Sequence, residues 1–237
     1  MSNGTVYMIP TTIGDLSQNP AEQIAPSNLN TTLRIRHFIV ENIKTARRFL
    51  RKLNPEFDID GSEFFLLNKH TKTDELTTFL QPCREGNNVG IISEAGCPGI
   101  ADPGAKIINL AHKEKIKVSP LIGPSSIFMA LMASGLNGQN FSFHGYLPIE
   151  KNQRIKKIKQ LCQLAKDGSA QIFMETPFRN DALLKDVLKN SSKETLLCIA
   201  SNISFPNEMI KTATIQYWKQ NLPNLNKKPS IFLIGID

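Results

Sequence analysis

The sequence predicts an α/β fold built as two α/β domains, and three observations carry that expectation. Short apolar runs bounded by turn residues alternate with stretches whose apolar residues recur every three or four positions. Glycine- and proline-rich loops follow several of those runs directly, as loops do at the carboxyl ends of strands. At 237 residues, 41% apolar and 21% charged, the chain is long enough to bury a core without disulfides.

Residues 6–9 are an apolar run closed by Pro10, a first strand. Residues 10–30, rich in Thr, Asn, Pro and Ser, read as a long loop, and a loop of that size usually serves a function. Residues 37–40 form a second strand. Ile43, Ala46, Phe49, Leu50 and Leu53 then recur at helical spacing. A third strand is expected at 64–67 and a helix over 73–83, with Leu76, Phe79 and Leu80 on one face. Residues 89–92 make a strand that runs at once into a Gly/Pro loop. Asp102-Pro103-Gly104 starts a helix to about His112, the Asp as cap and the Pro in the first turn. Residues 118–121 are a strand, and Gly123-Pro124-Ser125-Ser126 opens the next helix. Further strands fall at 141–145, 170–174, 195–200 and 230–236. Helices fall at 151–165, basic and amphipathic, and at 178–188. The alternation implies largely parallel sheet. The best break lies near 115–121, giving domains 1–117 and 118–237.

Several classes are excluded. The opening ten residues are too short and polar for the apolar core of a signal peptide, and no run approaches a membrane span. The expected location is the cytoplasm, with no membrane partner. Cys83, Cys97, Cys162 and Cys198 are scattered, without a C-x-x-C pair or a His at ligand spacing, so they read as reduced thiols and no metal is expected. The formal net charge of +7 suits a polyanion such as RNA. Basic residues gather at 34–52 and 151–166, which also fits two solvated helix faces.

Three loops draw attention to a ligand site. The first runs from Pro10 through Leu16. The second runs from Ser93 to Gly104 and includes Glu94, Ala95, Gly96, Ala101 and Asp102. The third spans 121–126 and holds Gly123, Pro124, Ser125 and Ser126. Glycine permits close backbone approach to a ligand, and helix starts offer free N–H groups. No Walker loop, G-x-G-x-x-G fingerprint or G-x-S-x-G elbow is present.

At these loops the chain resembles a known family. V-Y-M-I-P-T-T-I-G-D-L, residues 6–16, is similar to the L-Y-x-V-x-T-P-I-G-N-L opening of the ribosomal RNA small subunit methyltransferase I family. Thr12 replaces its Pro and Asp15 its Asn. V-G-I-I-S-E-A-G-C-P-G-I-A-D-P-G, residues 89–104, resembles V-A-L-V-S-D-A-G-T-P-x-I-S-D-P-G. Residues 120–136 resemble P-L-P-G-P-(S/C)-A-x-x-x-A-L-x-x-S-G-L. Residues 143–148 resemble F-x-G-F-L-P, and 172–179 resemble I-F-Y-E-S-P-H-R. The matches come in family order and place the chain in the tetrapyrrole methylase superfamily.

The resemblance implies two α/β domains with a cofactor cleft between them, S-adenosyl-L-methionine as cofactor and a homodimer. It implies that Pro10, Ser93, Glu94, Ala95, Gly96, Ala101 and Asp102 line one side, with Gly123, Pro124, Ser125 and Ser126 continuing the wall. Met174, Glu175 and Ala200 would close the other side. The cationic sulfonium favours nearby carbonyls and carboxylates. The family's A-E-D-T-R-x-T appears here as Val40-Glu41-Asn42-Ile43-Lys44-Thr45-Ala46. Its H-x-H-N-E becomes Asn68-Lys69-His70-Thr71-Lys72, and its R-E-L-T-K becomes Ala200-Ser201-Asn202-Ile203-Ser204. The cofactor half is thus kept and the substrate half altered.

Three readings stay open. One is methylation of ribosomal RNA at a ribose 2′-hydroxyl, with ribosomal RNA or the small ribosomal subunit as partner. A second is methylation of a tetrapyrrole or another small molecule. A third is S-adenosylmethionine binding without catalysis. A ribose hydroxyl is a weak acid and needs a general base. Glu41 is the candidate, with Lys44 and Arg47 or Arg48 holding phosphates; equally, Glu41 caps the helix that starts near 43.

Overall fold

A computed structural model describes residues 3–14, 20–68 and 70–236. Asp15 and Leu16 of the first loop, and Lys69, lie outside the described residues. The chain divides into two compact units, Met1–Ser125 and Ser126–Asp237.

The first unit holds β1 (Thr5–Ile9), a 3-10 turn at Pro20–Glu22, α1 (Pro26–Thr32), β2 (His37–Val40), α2 (Ile43–Leu53) and β3 (Glu63–Leu66). It continues with α3 (Thr73–Thr78), α4 (Gln81–Arg84), β4 (Val89–Ile92), α5 (Gly104–Lys113) and β5 (Lys117–Pro120). The strands form one sheet in the order β3-β2-β4-β1-β5, with every neighbouring pair parallel. Helices cover both faces of such a sheet, so its central strands are continuous apolar runs. All four residues of β4 are buried. Val6, Met8, Ile39 and Ile91 point to one face with Ile107 and Ala111 of α5. Ile9, Phe38, Val40 and Ile92 point to the other with Ala46, Phe49 and Leu50 of α2. Burying each such large side chain stabilises by about 1.5–3 kcal/mol.

The second unit holds α6 (Ser126–Ser134), β6 (Phe141–Tyr146), α7 (Lys151–Lys166), β7 (Ala170–Glu175) and α8 (Asn180–Asn190). It ends with β8 (Leu196–Ser201), β9 (Met209–Thr214), α9 (Ile215–Gln220) and β10 (Ser230–Gly235). Its sheet runs β6-β7-β10-β8-β9. Ile158 and Leu161 of α7 pack with Leu183, Leu184 and Val187 of α8 and with Trp218 of α9, over Phe173 and Phe232 of the sheet.

The two-domain α/β expectation holds, with four corrections. The boundary moves from 117/118 to 125/126, because β5 pairs with β1 from Thr5↔Lys117 to Met8↔Pro120 and so belongs to the first sheet. Parallel sheet describes the first unit only. In the second, β6 and β7 are parallel, whereas β10 runs antiparallel to β7 and β8, and β9 antiparallel to β8. The loop expected over 10–30 contains α1, which starts on Pro26, a residue suited to the first turn because its missing N–H needs no partner there. The helix expected over 73–83 is two short helices. Pro82 lies in the first turn of α4, where its ring would clash with a continuing helix.

Candidate active site

In the first unit the parallel strands bring their carboxyl ends to one edge. From β2 the chain crosses toward β3, and from β4 it crosses the opposite way toward β5. The crevice between the ends of β2 and β4 is therefore the topological switch point, where open α/β sheets bind ligands. Glu41 follows β2 and Ser93 follows β4, so the sequence order alone delivers both to this crevice.

The loop after β4 is held by its own hydrogen bonds. Ser93 Oγ donates to the Gly96 carbonyl at 2.7 Å. The Thr11 N–H donates to the same carbonyl at 3.0 Å, which ties the loop after β1 to the loop after β4. Gly96 has φ of +69°, and an added Cβ would lie 3.2 Å from the Pro124 carbonyl oxygen. The Cys97 thiol donates to that oxygen at 3.3 Å. The loops holding Thr11, Gly96 and Pro124 thus form one wall. Asp102 closes the second loop, its carboxylate accepting from the Gly99 N–H at 2.9 Å and from Gly104 at 2.8 Å. Ala101 is held at φ of +61°, a conformation non-glycine residues seldom adopt.

Glu41 does not cap α2. The Asn42 side chain does, accepting from the N–H groups of Lys44 at 2.9 Å and Thr45 at 3.3 Å, a cap worth about 1 kcal/mol. Glu41 is left to the crevice, beside Asp102, Val40 and Ile92. Burial, then the charges of Asp102 and Glu94, push its carboxyl above the usual 4.5, against a hydrogen bond from the Glu94 backbone N–H. Burial also raises Asp102 above 3.8, opposed by the Gly104 and Gly99 N–H groups. Both shifts mark a site rich in negative charge and poor in water.

A pocket of about 70 Å³ adjoins this crevice, lined by Thr11, Thr12, Pro20, Ile92, Ser93 and Glu94 and by Thr45, Ala46, Arg48, Phe49 and Lys52 of α2. Ligand pockets that enclose a whole small molecule run to roughly 300–1,000 Å³, so this one accepts a single group. Thr45 Oγ1 donates to the Glu94 carboxylate at 2.6 Å. Sequence reasoning placed Thr11 in the first candidate loop but missed Thr45 and Lys52. The signal was present, because Thr45, Arg48, Phe49 and Lys52 share one helical face. Lys44 is exposed and absent from this wall, and Arg47 pairs with Asp60 at 3.5 Å. Gly123 packs against Pro10, where an added Cβ would lie 2.2 Å from the Pro10 Cβ. Glu94 and Ala95 are exposed, and Ser125 and Ser126 are half-buried at the start of α6.

In the second unit Glu175 is buried and committed locally. Its Oε1 accepts from the Thr176 N–H at 2.6 Å and from Arg179 Nη2 at 2.6 Å. Met174 is half-buried. Ala200 is fully buried and lies between Ile231 and Ile210 in mid-sheet. Only its backbone can serve a ligand. Among the described residues no group of His, Cys, Asp and Glu is arranged to hold a metal, and no helix is long and apolar enough to cross a membrane.

Comparison with known proteins places the chain in a family. The family model for tetrapyrrole (corrin/porphyrin) methylases matches residues 29–217. Two relatives are ribosomal RNA small subunit methyltransferases I. That of Vibrio cholerae is 29% identical over 97% of this chain and 76% of its own length. That of Synechocystis is 30% identical over 93% of this chain and 76% of its own length. The solved structure of the methyltransferase CobJ covers 100% of this chain and 95% of its own, at a TM-score of 0.66 and 16% identity. The cobalt precorrin-4 methyltransferase CbiF covers 98% of this chain and 94% of its own, at 0.63 and 18%. At those identities the two structures speak for the fold alone. With a family match across most of the sequence and a relative 30% identical over most of both chains, the protein is a methyltransferase of the tetrapyrrole methylase family and, within it, of the S-adenosylmethionine-dependent ribosomal RNA small subunit methyltransferase I group.

Proposed function

We propose that this enzyme transfers a methyl group from S-adenosyl-L-methionine to a ribose 2′-hydroxyl of ribosomal RNA. The observation that carries the reading is the pairing of two chemistries at one sheet edge. Acidic Glu41, Glu94 and Asp102 cluster at the switch point, and Arg48 and Lys52 line the adjoining pocket. The first group suits a cationic donor and the second a phosphate backbone.

The residues present fit the cofactor. Thr11 Oγ1 is buried without a hydrogen-bond partner among the described residues, which leaves a polar group ready for a ligand in the pocket it lines. Among the described residues neither Glu41 nor Asp102 has a basic partner, which suits a sulfonium cation. Ser93, Gly96, Asp102, Gly123 and Pro124 would hold it from the first unit. When bound, the sulfonium supplies an electrophilic methyl group.

The rest of the chemistry falls to the chain. Glu41 would take the proton from the 2′-hydroxyl, whose oxygen gains the methyl group while the carbon–sulfur bond breaks and the donor leaves as a neutral thioether. Its raised pKa makes it a stronger base than an ordinary glutamate. Arg48 and Lys52, about one turn apart on α2, hold the phosphates that orient the ribose. In this reading the enzyme works in the cytoplasm as a homodimer, and light scattering gives its mass.

The test is transfer of labelled methyl groups to unmethylated small ribosomal subunits. The reading expects label at a 2′-oxygen of the RNA, and expects Glu41→Gln to cut turnover about 10²-fold or more while affinity for the demethylated, uncharged product persists. Label on a small molecule only, or full turnover by the variant, overturns it.

A further inference from the structure

The +7 charge is not spread evenly. Residues 1–125 carry 14 Lys and Arg against 13 Asp and Glu, whereas residues 126–237 carry 14 against 8. The excess therefore sits in the second unit, whereas the acidic switch point belongs to the first.

Helix α7 concentrates it. Its 16 residues include six basic side chains and no acidic one. Ile158, Leu161 and Ala165 are buried on one face. Asn152, Lys156, Lys159, Gln163 and Lys166 follow at steps of four and three residues, so they share one line on the helix, and all five are exposed. Arg154 is spoken for, pairing with Asp186 of α8 at 2.6 Å. The three stripe lysines have no carboxylate partner among the described residues. Lys156 and Lys159, three apart, repel one another and weaken the helix. Exposed Lys185 and Lys189 extend the basic surface onto α8, which packs against α7.

We infer that the outer face of α7 is a docking stripe for the RNA backbone, separate from the residues that act on the methyl group. The inference rests on RNA being the substrate. At 1.5 Å rise per residue the lysines span roughly 15 Å, and a nucleic-acid strand offers a phosphate every ~3.4 Å of duplex axis. Interleaved Asn and Gln donate to phosphate and sugar oxygens without reading sequence. A lipid surface is the poorer match. An interfacial helix needs a free apolar face, and that of α7 is buried in the core.

The experiment measures binding rather than turnover. The full chain is titrated with RNA extracted from small ribosomal subunits across about 50–200 mM salt. The variant replaces Lys156, Lys159 and Lys166 with Gln. A control of equal charge replaces exposed Lys106, Lys113 and Lys117 of the first unit with Gln. The stripe variant is expected to lose about tenfold in low-salt affinity and to flatten the log–log salt slope by about 2. Its melting temperature should not fall and its cofactor affinity should stay unchanged, and the control should keep most of its RNA affinity. Equal losses in both triples, or no loss in either, overturn the stripe while leaving RNA as substrate. Tighter binding of the wild type to phosphatidylserine vesicles than to RNA also overturns it. A wild type that neither binds nor methylates the RNA overturns the substrate reading itself, and the stripe with it.

Discussion

Thr45, on the first turn of α2, donates its hydroxyl to the Glu94 carboxylate at 2.6 Å, joining positions 49 apart in sequence across the crevice between β2 and β4. The bond holds a carboxylate that lines the pocket with Arg48 and Lys52 and whose charge also acts on Glu41. Thr45→Val keeps the shape and removes the donor. A charge-assisted hydrogen bond contributes about 1.5–3 kcal/mol when sheltered and less when partly exposed, as here. The variant should lose up to about 1 kcal/mol in urea unfolding with an unchanged m-value, and its KM for the cofactor should rise. An unchanged KM would mean that Glu94 finds its position without Thr45.

Two glycines separate the wall's two constraints. Gly123→Ala would set a Cβ 2.2 Å from the Pro10 Cβ and 2.3 Å from its Cγ, on a ring that cannot rotate away. Gly96→Ala meets only a 3.2 Å approach to the Pro124 oxygen but must hold φ of +69°. Overpacking costs about 1–3 kcal/mol, and left-handed alanine about 1–2 kcal/mol. Calorimetry should find cofactor binding weakened in both, with the larger loss of melting temperature in Gly123→Ala. The reverse order would show that the Pro10 loop yields.

Glu41 and Asp102 have carboxyls held above their usual 4.5 and 3.8 by burial first and, for Glu41, by neighbouring carboxylates next. Between the usual and the raised values the folded state binds more protons than the unfolded chain. Their contribution to stability is therefore greatest in acid and is lost as pH rises through the raised values. Glu41→Gln removes one such charge, so the variant should melt higher than wild type at neutral pH, with the difference shrinking on acidification. Binding follows the opposite sign. Deprotonation favours a cation, so the preference for S-adenosylmethionine over its uncharged-sulfur product should grow with pH. A preference that stays flat from acid to neutral pH would remove these groups from the sulfonium's surroundings.

The first unit was legible because its strands are buried on both faces, and continuous runs such as residues 89–92 have few alternatives. Helix α2 was legible to the residue, since Asn42 caps it and its apolar spacing is unbroken. The second sheet was less so. β9 is an edge strand with Lys211 and three threonine or alanine neighbours, half-buried without an apolar run, and α9 is six residues long. Neither pattern stands out without β8 beside it. Antiparallel pairing in the second unit has no local signature, because it depends on which strand β10 reaches after α9. At the site, the motif residues of the three loops were readable. For Thr45 and Lys52 the shared helical face was readable but its role was not, since that depends on α2 lying beside the loop after β4.

The Arg154–Asp186 pair holds the basic helix α7 to α8. Both side chains are 12% exposed, and Asp186 Oδ2 accepts from Nε at 2.9 Å and from Nη2 at 2.6 Å. Arg154 Nη1 also donates to the Ile149 carbonyl at 2.7 Å, so the guanidinium fastens the chain leading into α7 as well. Removing one partner strands the other charge in a sheltered place, at about 3–5 kcal/mol. Arg154→Ala and Asp186→Ala should each destabilise on that scale, and the double variant should cost well below the sum, because neither charge is then orphaned. If the pair's role is to set α7, both single variants should also soften the salt-dependent RNA binding even though Asp186→Ala adds positive net charge. Tighter RNA binding by Asp186→Ala would show that bulk charge, rather than the held line of Lys156, Lys159 and Lys166, governs the interaction.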